Sequence, residues 1–243
     1  MVLPSILVLG LAHAPLERAS AVLSQAFASH SYDARLLLGR QAQLGETMVY
    51  RPGIIGDSGV DTALTYGEYN LEFFAGLVEA ALGSSAADDV LVDVGSGCGR
   101  LVLASAVLWP ELRRVAGVEK VESLHSVALS ASCAVDATVT SRCEFFCADA
   151  YDVLRPGGAL DDASVLFAYS STWPSAGDVL TEFSELCGLC LRPGSRVIVT
   201  DKRLASDARW GQFELIDAME GPNEGTGGTS IGYVYQVTQS LRG

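Results

Sequence analysis

The segment Asp93-Val-Gly-Ser-Gly-Cys-Gly-Arg100 carries the strongest indication of the fold. It follows the short apolar run Val90–Val94, which predicts a buried strand, and precedes the apolar run Leu101–Leu108, which predicts a helix ending before Pro110. Glycine lets the backbone approach a ligand closely, and the N-terminus of a helix carries partial positive charge. A strand, a glycine-rich turn and a helix in this order are typical of a nucleotide-type binding site.

Outward from this stretch, predicted strands and helices alternate along the chain. Strands are predicted at Val115–Val118, Cys143–Cys147, Val165–Tyr169 and Arg196–Thr200, and helices at 69–83, 121–135 and Val179–Leu191. The last two strands, Phe213–Ile216 and Tyr233–Val237, have no helix between them, so they predict an antiparallel hairpin with the Gly/Asn-rich segment 221–230 as its loop. We therefore expect an α/β fold with a mostly parallel sheet covered by helices on both faces.

Three acidic residues lie at or just after the carboxyl ends of successive predicted strands: Asp93, Glu119 and Asp149. Ligands of open α/β sheets bind beyond these strand ends, so three acids beside a glycine loop indicate a binding site. Glu119 follows the loop by roughly 20 residues, where a carboxylate accepts hydrogen bonds from ribose hydroxyls. A dinucleotide site needs a small residue at its third glycine position, but Arg100 or Val102 stands there, which argues against an NAD(P)-dependent oxidoreductase.

This set of motifs resembles class I S-adenosylmethionine-dependent methyltransferases, whose Rossmann-like fold is a seven-stranded sheet ending in a reversed hairpin. With Thr65-Tyr-Gly-Glu68 before the first helix of the domain and Gly117-Val-Glu-Lys120 at the second strand, the sequence is similar to the histone H3 lysine methyltransferases of the disruptor-of-telomeric-silencing family. The similarity runs from about Thr65 to Gln239. It departs from the family at Arg100, where the family has Gln, and at Tyr169-Ser170, where the family has paired Asn.

The resemblance implies S-adenosyl-L-methionine as the cofactor and assigns the candidate site residues. The cofactor-binding candidates are Thr65, Tyr66, Glu68, Asp93, Gly95, Gly97, Gly99, Arg100, Glu119, Asp149 and Ala150. We expect the glycines to lie against the methionine part, Asp149 to face the adenine amine, and the Tyr66–Glu68 loop to close over the cofactor. The catalytic candidates are aromatic residues on the acceptor side: Tyr169, Trp173 and Tyr233. Methyl transfer is an in-line displacement that needs positioning and exclusion of water, so neither a covalent nucleophile nor a metal is expected.

The balance of charge constrains the partners. The 243 residues contain 16 Lys+Arg and 29 Asp+Glu, a formal net charge of -13. Such a body repels nucleic acid and anionic membranes, so we expect neither as a direct partner. The resemblance implies N-methylation of a lysine in a protein, and the charge favours a basic protein or a small amine as the acceptor, with weak activity on nucleosomes. Two alternatives stay open: a methyltransferase for a small molecule or a non-histone protein, and a non-catalytic cofactor-binding regulatory module.

Residues 1–45 precede every motif, so we expect the methyltransferase domain to comprise residues 46–243. We also expect that cofactor binding does not need residues 1–45. The composition of 1–45 fits a cleavable transit segment or an amphipathic helix packed on the domain, and these alternatives stay open. In the helical alternative, one face is formed by Leu16, Ala19, Val22, Leu23 and Phe27. We expect an intracellular protein of the cytoplasm, the nucleus or an organelle. The six cysteines predict buried free thiols rather than disulfides or a metal site.

Overall fold

A computed structural model describes residues 13–45, 65–82, 86–207, 209–223 and 227–242 of the protein. The strands are β1 (Val90–Val94), β2 (Arg114–Glu119), β3 (Cys143–Cys147), β4 (Val165–Ala168), β5 (Val179–Leu180), β6 (Arg196–Thr200), β7 (Arg203–Leu204), β8 (Gln212–Asn223) and β9 (Gly228–Gln239). The helices are α1 (His13–Ala26), α2 (Tyr32–Gly45), α3 (Leu71–Leu82), α4 (Arg100–Leu108), α5 (Glu122–Cys133), α6 (Ala137–Thr140), α7 (Ala150–Leu154) and α8 (Thr181–Cys190). None of the helices described is long and apolar enough to span a membrane.

Seven of the described strands form one sheet in the order β3-β2-β1-β4-β6-β9-β8. The first five are parallel, whereas β9 pairs antiparallel with both β6 and β8. The predicted Rossmann-like fold, a mostly parallel seven-stranded sheet with an antiparallel C-terminal pair, is therefore confirmed. Because β1, β2, β3 and β4 are neighbours, their carboxyl ends meet at one edge, and the connection direction reverses between β1 and β4.

The sheet is covered on both faces, as predicted. On one face α1, α3, α4 and α5 enclose an apolar core, in which Phe74 contacts Phe167 edge-to-face at 4.9 Å between ring centroids. On the other face α7 and α8 enclose a second core around Leu166 and Leu186. Burial of these side chains is the main force that holds the helices on the sheet.

The C-terminal hairpin differs from its prediction. Strands β8 and β9 run through most of the predicted loop 221–230, of which residues 224–226 lie outside the described part. Gly221, the first residue of the predicted loop, permits close packing rather than a turn, because an added Cβ there would lie 2.4 Å from Phe73 of α3. Gly232 of β9 does the same against α3, where an added Cβ would lie 2.4 Å from Leu77. Glycine within a strand often marks such a close approach. Strand β8 is also an edge strand, with register irregularities at Gln212/Phe213 and Leu215/Asp217.

The N-terminal segment contains two helices, and α1 packs on α4. Ala19, Leu23 and Phe27, three residues of the predicted apolar face, are buried there, and Leu16 and Val22 pack against the same core. The boundary predicted between residues 45 and 46 lies at the edge of the described residues.

All six cysteines are free, but only some are buried. Cys98, Cys187 and Cys190 are buried and Cys143 is half-buried, whereas Cys133 and Cys147 are exposed. The prediction of buried thiols is thus wrong for the last two, because α5 ends at the surface and β3 is an edge strand.

Candidate active site

A cleft of about 290 Å³ lies at the carboxyl ends of β1, β2, β3 and β4. Of the fourteen predicted site residues, twelve line it: Thr65, Tyr66, Glu68, Asp93, Gly95, Gly97, Arg100, Glu119, Asp149, Ala150, Tyr169 and Trp173. Gly99 and Tyr233 do not. The size is close to the lower end of the range, about 300–1,000 Å³, that small-molecule sites occupy.

The glycine loop between β1 and α4 has left-handed φ angles at Gly95, Gly97 and Gly99, of 77°, 54° and 77°. Glycine adopts this conformation without the strain that a side chain would cause. Gly99 serves packing rather than the cleft, since a Cβ there would lie 2.5 Å from the Phe145 ring. The sequence correctly places these glycines in the loop, but Gly99 does not line the cleft, because its α-carbon faces Phe145 of β3 and Ala128 of α5.

The amide groups of this loop are already used inside the protein. The amides of Gly95 and Ser96 donate to the Val118 carbonyl at 2.9 and 3.0 Å, and the Gly99 amide donates to the Ser96 carbonyl at 2.9 Å. The Gly97 amide donates to Glu119 Oε2 at 2.8 Å. A loop that cradles phosphate presents such amides to the ligand instead. These four amides are therefore not available to a phosphate.

Two buried carboxylates lie next to each other beneath the loop. Burial, and then the negative charge of Glu119, raise the pKa of Asp93 to about 8. Among the described residues, no hydrogen bond or cation offsets this increase. Burial also raises the pKa of Glu119, although its carboxylate accepts hydrogen bonds from the amides of Val121 and Gly97, which act in the opposite direction. Removing charge from water is costly without a counter-charge, so this end of the cleft favours a cationic ligand.

Asp149 stands at the third strand end, as predicted, and caps helix α7. Its Oδ1 accepts a hydrogen bond from the Tyr151 amide at 3.0 Å. Asp149 and Ala150 line the cleft on the side of α7, and Tyr151 ties this side to α8 by donating its hydroxyl to the Glu182 carbonyl at 2.7 Å. A carboxylate has about four acceptor positions, so Asp149 retains capacity for a ligand amine.

The segment Thr65–Tyr69, which we call the closing loop, lies against the glycine loop. The Tyr66 ring covers Gly97, where an added Cβ would be 2.8 Å from it. The Tyr66 hydroxyl donates to Glu68 Oε1 at 2.9 Å and lies 2.9 Å from Cys98 Sγ. Glu68 in turn forms ion pairs with Arg35 and Arg100.

An aromatic wall forms another side of the cleft. The Trp173 ring lies edge-to-face on Phe183 at 5.2 Å and next to Gly95, and Tyr169 lies edge-to-face on Tyr69 at 4.9 Å. Both residues follow β4, as predicted. Tyr233 is not part of this wall. Its strand β9 is separated from β4 by β6, and its ring is buried in the core on the α8 face, beneath the guanidinium of Arg203.

Sequence reasoning missed Arg35 and Cys98 as members of the site. Cys98 lies inside the glycine motif, but the sequence predicts only that its thiol is free and buried, not that it lines the cleft. Arg35 is 33 residues from Glu68, in a segment that the cofactor site is expected not to need, and no spacing rule connects the two. The expectation that cofactor binding does not need residues 1–45 stays a prediction, and Arg35 of α2 contacts Glu68, which lines the cleft.

Residues 57–154 match the model of the family described as histone methylation protein DOT1. This range contains all of the cofactor-binding candidates but none of the catalytic ones, and it is less than half of the chain. No curated protein matches the sequence. The match confirms, over residues 57–154, the resemblance predicted from the sequence motifs.

Several solved structures are similar to this chain. TrmN from Thermus thermophilus is 18% identical with a TM-score of 0.49, and the similarity covers 73% of this chain and 51% of TrmN. TYW2 from P. horikoshii, solved in complex with MeSAdo, is 16% identical with a TM-score of 0.45, over 68% of this chain and 62% of that one. Geranyl diphosphate C-methyltransferase from Streptomyces coelicolor is 10% identical with a TM-score of 0.46, over 68% and 76%. The chain spans about half the length of TrmN.

Proposed function

We propose that this protein transfers the methyl group of S-adenosylmethionine to the side-chain amine of a lysine in a basic protein. The observation that carries the proposal is the polarity of the cleft. One end has the buried carboxylates Asp93 and Glu119 beneath the glycine loop, four of whose amides are bonded within the protein. Another side is the aromatic wall of Tyr169 and Trp173.

The first half of this observation fits the cofactor. S-adenosylmethionine is cationic at its sulfonium and ammonium groups, and it supplies an activated methyl group. A cation near Asp93 stabilises the ionised carboxylate, whose pKa is raised to about 8 without a ligand. A dinucleotide would place an anionic pyrophosphate near the same carboxylates, where like charges repel. The residues present therefore fit S-adenosylmethionine and disfavour NAD(P).

The second half fits an amine acceptor. The stem of a lysine is slender and apolar, and a wall formed by Tyr169 and Trp173 excludes water from the displacement. Moving the lysine ammonium from water to this apolar wall lowers its pKa, which favours the neutral amine that attacks the methyl group. Burial, and then Asp201, raise the pKa of Tyr169, so its phenol stays protonated at neutral pH and is not a general base. The role of this chain is thus to position and desolvate the amine.

The charge of the whole protein supports a basic acceptor. With a net charge of -13, the molecule attracts a lysine-rich protein and raises its rate of encounter. The same charge repels DNA, so a nucleosome is a poorer acceptor than a free basic protein.

The test is methylation with labelled S-adenosylmethionine. The acceptors are free histones, nucleosomes and small primary amines, followed by mass spectrometry of the labelled species. We expect methylated lysine in the free basic proteins and weak labelling of nucleosomes. Labelling of small amines alone would support the small-molecule alternative. Binding of S-adenosylmethionine without turnover on any acceptor would support the non-catalytic alternative and contradict the proposal.

Trp173→Ala tests the geometry of the acceptor side. We expect at least about a tenfold loss of turnover on a basic protein with little change in S-adenosylmethionine affinity, because the aromatic wall would lose its largest ring. Trp210→Ala is the matched control, since Trp210 does not line the cleft and packs under Arg209. Equal turnover in the two variants, or loss of cofactor binding in Trp173→Ala alone, would contradict this placement.

A further inference from the structure

We propose that Arg35 of helix α2 is a positioning residue that holds the closing loop over the cleft, so that the N-terminal helices control the exchange of the cofactor. This rests on the proposed function in one respect, that the ligand of the cleft is S-adenosylmethionine or its product. Nothing in the sequence motifs involves residues before Thr65 in the site.

The first step is a buried ion pair. Arg35 Nη2 lies 2.5 Å and Arg35 Nε 2.7 Å from Glu68 Oε1, and the two side chains are only 8% and 13% exposed. Arg100 Nε lies 3.4 Å from the other carboxylate oxygen, Oε2. Removing one partner from a buried ion pair is costly, because the remaining charge is left without compensation. Glu68 is therefore held firmly and is not an acceptor standing free for the cofactor.

The second step connects Glu68 to the ligand side. Glu68 Oε1 also accepts the hydrogen bond of the Tyr66 hydroxyl, whose oxygen contacts Cys98 of the glycine loop. The Tyr66 ring lies on Gly97. A continuous set of contacts thus runs from Arg35 through Glu68 and Tyr66 to the loop that approaches the ligand.

The third step is that α2 is itself fixed. Arg35 donates to the His30 carbonyl and its guanidinium lies 4.7 Å from the centroid of the Phe27 ring. One helical turn further, Gly39 faces the same loop, where an added Cβ would be 2.3 Å from Tyr66 Cβ. Residues four apart lie on one face of a helix, so α2 contacts the closing loop at two consecutive turns.

Release of a ligand from beneath Tyr66 requires the closing loop to lift, and the loop lifts only if Glu68 leaves Arg35 and Arg100. Loss of Arg35 therefore accelerates dissociation of the ligand. An ordinary surface arginine of α2 has no such effect.

The experiment measures the dissociation rate of S-adenosylhomocysteine and the unfolding temperature of the full chain. The variants are Arg35→Ala, Arg35→Lys, Glu68→Gln and the double variant Arg35→Ala/Glu68→Gln, with Arg40→Ala as control because Arg40 is exposed on the same helix. We expect dissociation at least about tenfold faster in Arg35→Ala and Glu68→Gln, which is about 1.4 kcal/mol. Lysine keeps the charge but loses the guanidinium fork, so Arg35→Lys lies between. The double variant should be no faster than the faster single variant.

Unchanged dissociation in a folded Arg35→Ala would overturn the proposal. If that variant does not fold, Glu68→Gln removes the same ion pair from the other side, and a parental rate there overturns it equally. Additive effects in the double variant would also count against it, since the two residues would then act separately. If the unmodified protein binds no S-adenosylhomocysteine, the proposed function fails first, and this outcome differs from a protein that binds but is insensitive to Arg35.

Discussion

Replacement of Asp93 by Asn tests the electrostatic design of the cleft. Burial and Glu119 raise the Asp93 pKa from 3.8 to about 8 in the folded protein. Between these values the folded protein holds the proton and the unfolded chain does not. The contribution of Asp93 to stability is thus fully present below pH 3.8 and is lost as the pH rises to about 8. The free energy of unfolding should fall by up to about 1.4 kcal/mol for each pH unit in this window.

The Asp93→Asn variant has no titrating group at this position, so it should lack this slope. Its stability should approach that of the parent at the acidic end of the range and exceed it by as much as about 5 kcal/mol near pH 8. Urea unfolding of both proteins, followed by circular dichroism between about pH 4.5 and 9, measures the difference. Other titrating groups are present in both proteins, so the comparison isolates Asp93 and its effect on Glu119.

The same substitution should change ligand binding in the opposite direction. A cation beside Asp93 favours the carboxylate, so the parent should release a proton on binding S-adenosylmethionine at about pH 7, and Asp93→Asn should bind more weakly and release none. Calorimetry in buffers of different ionisation enthalpy counts that proton. If the variant has the parent's unfolding slope, or the two release equal numbers of protons, Asp93 is not the buried, uncompensated acid described above.

Two further substitutions test the loop. Glu119→Ala leaves the amides of Gly97 and Val121 without their acceptor, so the free energy of unfolding, measured by denaturation, should fall by at least about 2 kcal/mol. The affinity for S-adenosylmethionine, measured by calorimetry, should fall by at least about tenfold, and an affinity equal to the parent's would mean that Glu119 does not contact the ligand. Gly97→Ala should weaken binding because the added Cβ would collide with the Tyr66 ring. Gly177→Ala is the control, since Gly177 also has a positive φ but no atom lies within 4 Å of an added Cβ; it should lose only a little stability and keep full affinity. Equal affinities in the two variants would refute the contact between Tyr66 and Gly97.

Much of the fold could be predicted because the sheet is made of short, buried apolar runs. The observed bounds of β1 and β6 agree with Val90–Val94 and Arg196–Thr200 as predicted from the sequence. The acids at the ends of β1, β2 and β3 could be placed together because parallel strands end at one edge. Local pattern therefore located the strand ends that form the cleft, and the family resemblance added the closing loop and the aromatic residues, so that twelve of the predicted residues line it.

What the sequence did not reveal depends on contacts between distant segments. Gly221 lies in a segment whose composition is typical of a turn. Only the position of Phe73 against it shows that β8 requires a residue without a side chain there. Arg35 belongs to the site because α1 packs on α4 and thereby brings α2 to the closing loop, a tertiary effect with no sequence period. Tyr233 was misplaced because its strand lies beyond β6, so its ring packs beneath Arg203 in the core instead of reaching the cleft.

The edge strand β8 has a consequence for how copies of this protein behave at high concentration. Twelve residues at an open edge are a ready template for pairing with another chain, and Leu215 and Ile216 are partly exposed along it. The irregularity between Leu215 and Asp217 interrupts the regular series of free backbone groups, and the carboxylates of Glu214 and Asp217 repel an identical edge. The strand thus combines length with features that disfavour pairing with an identical edge.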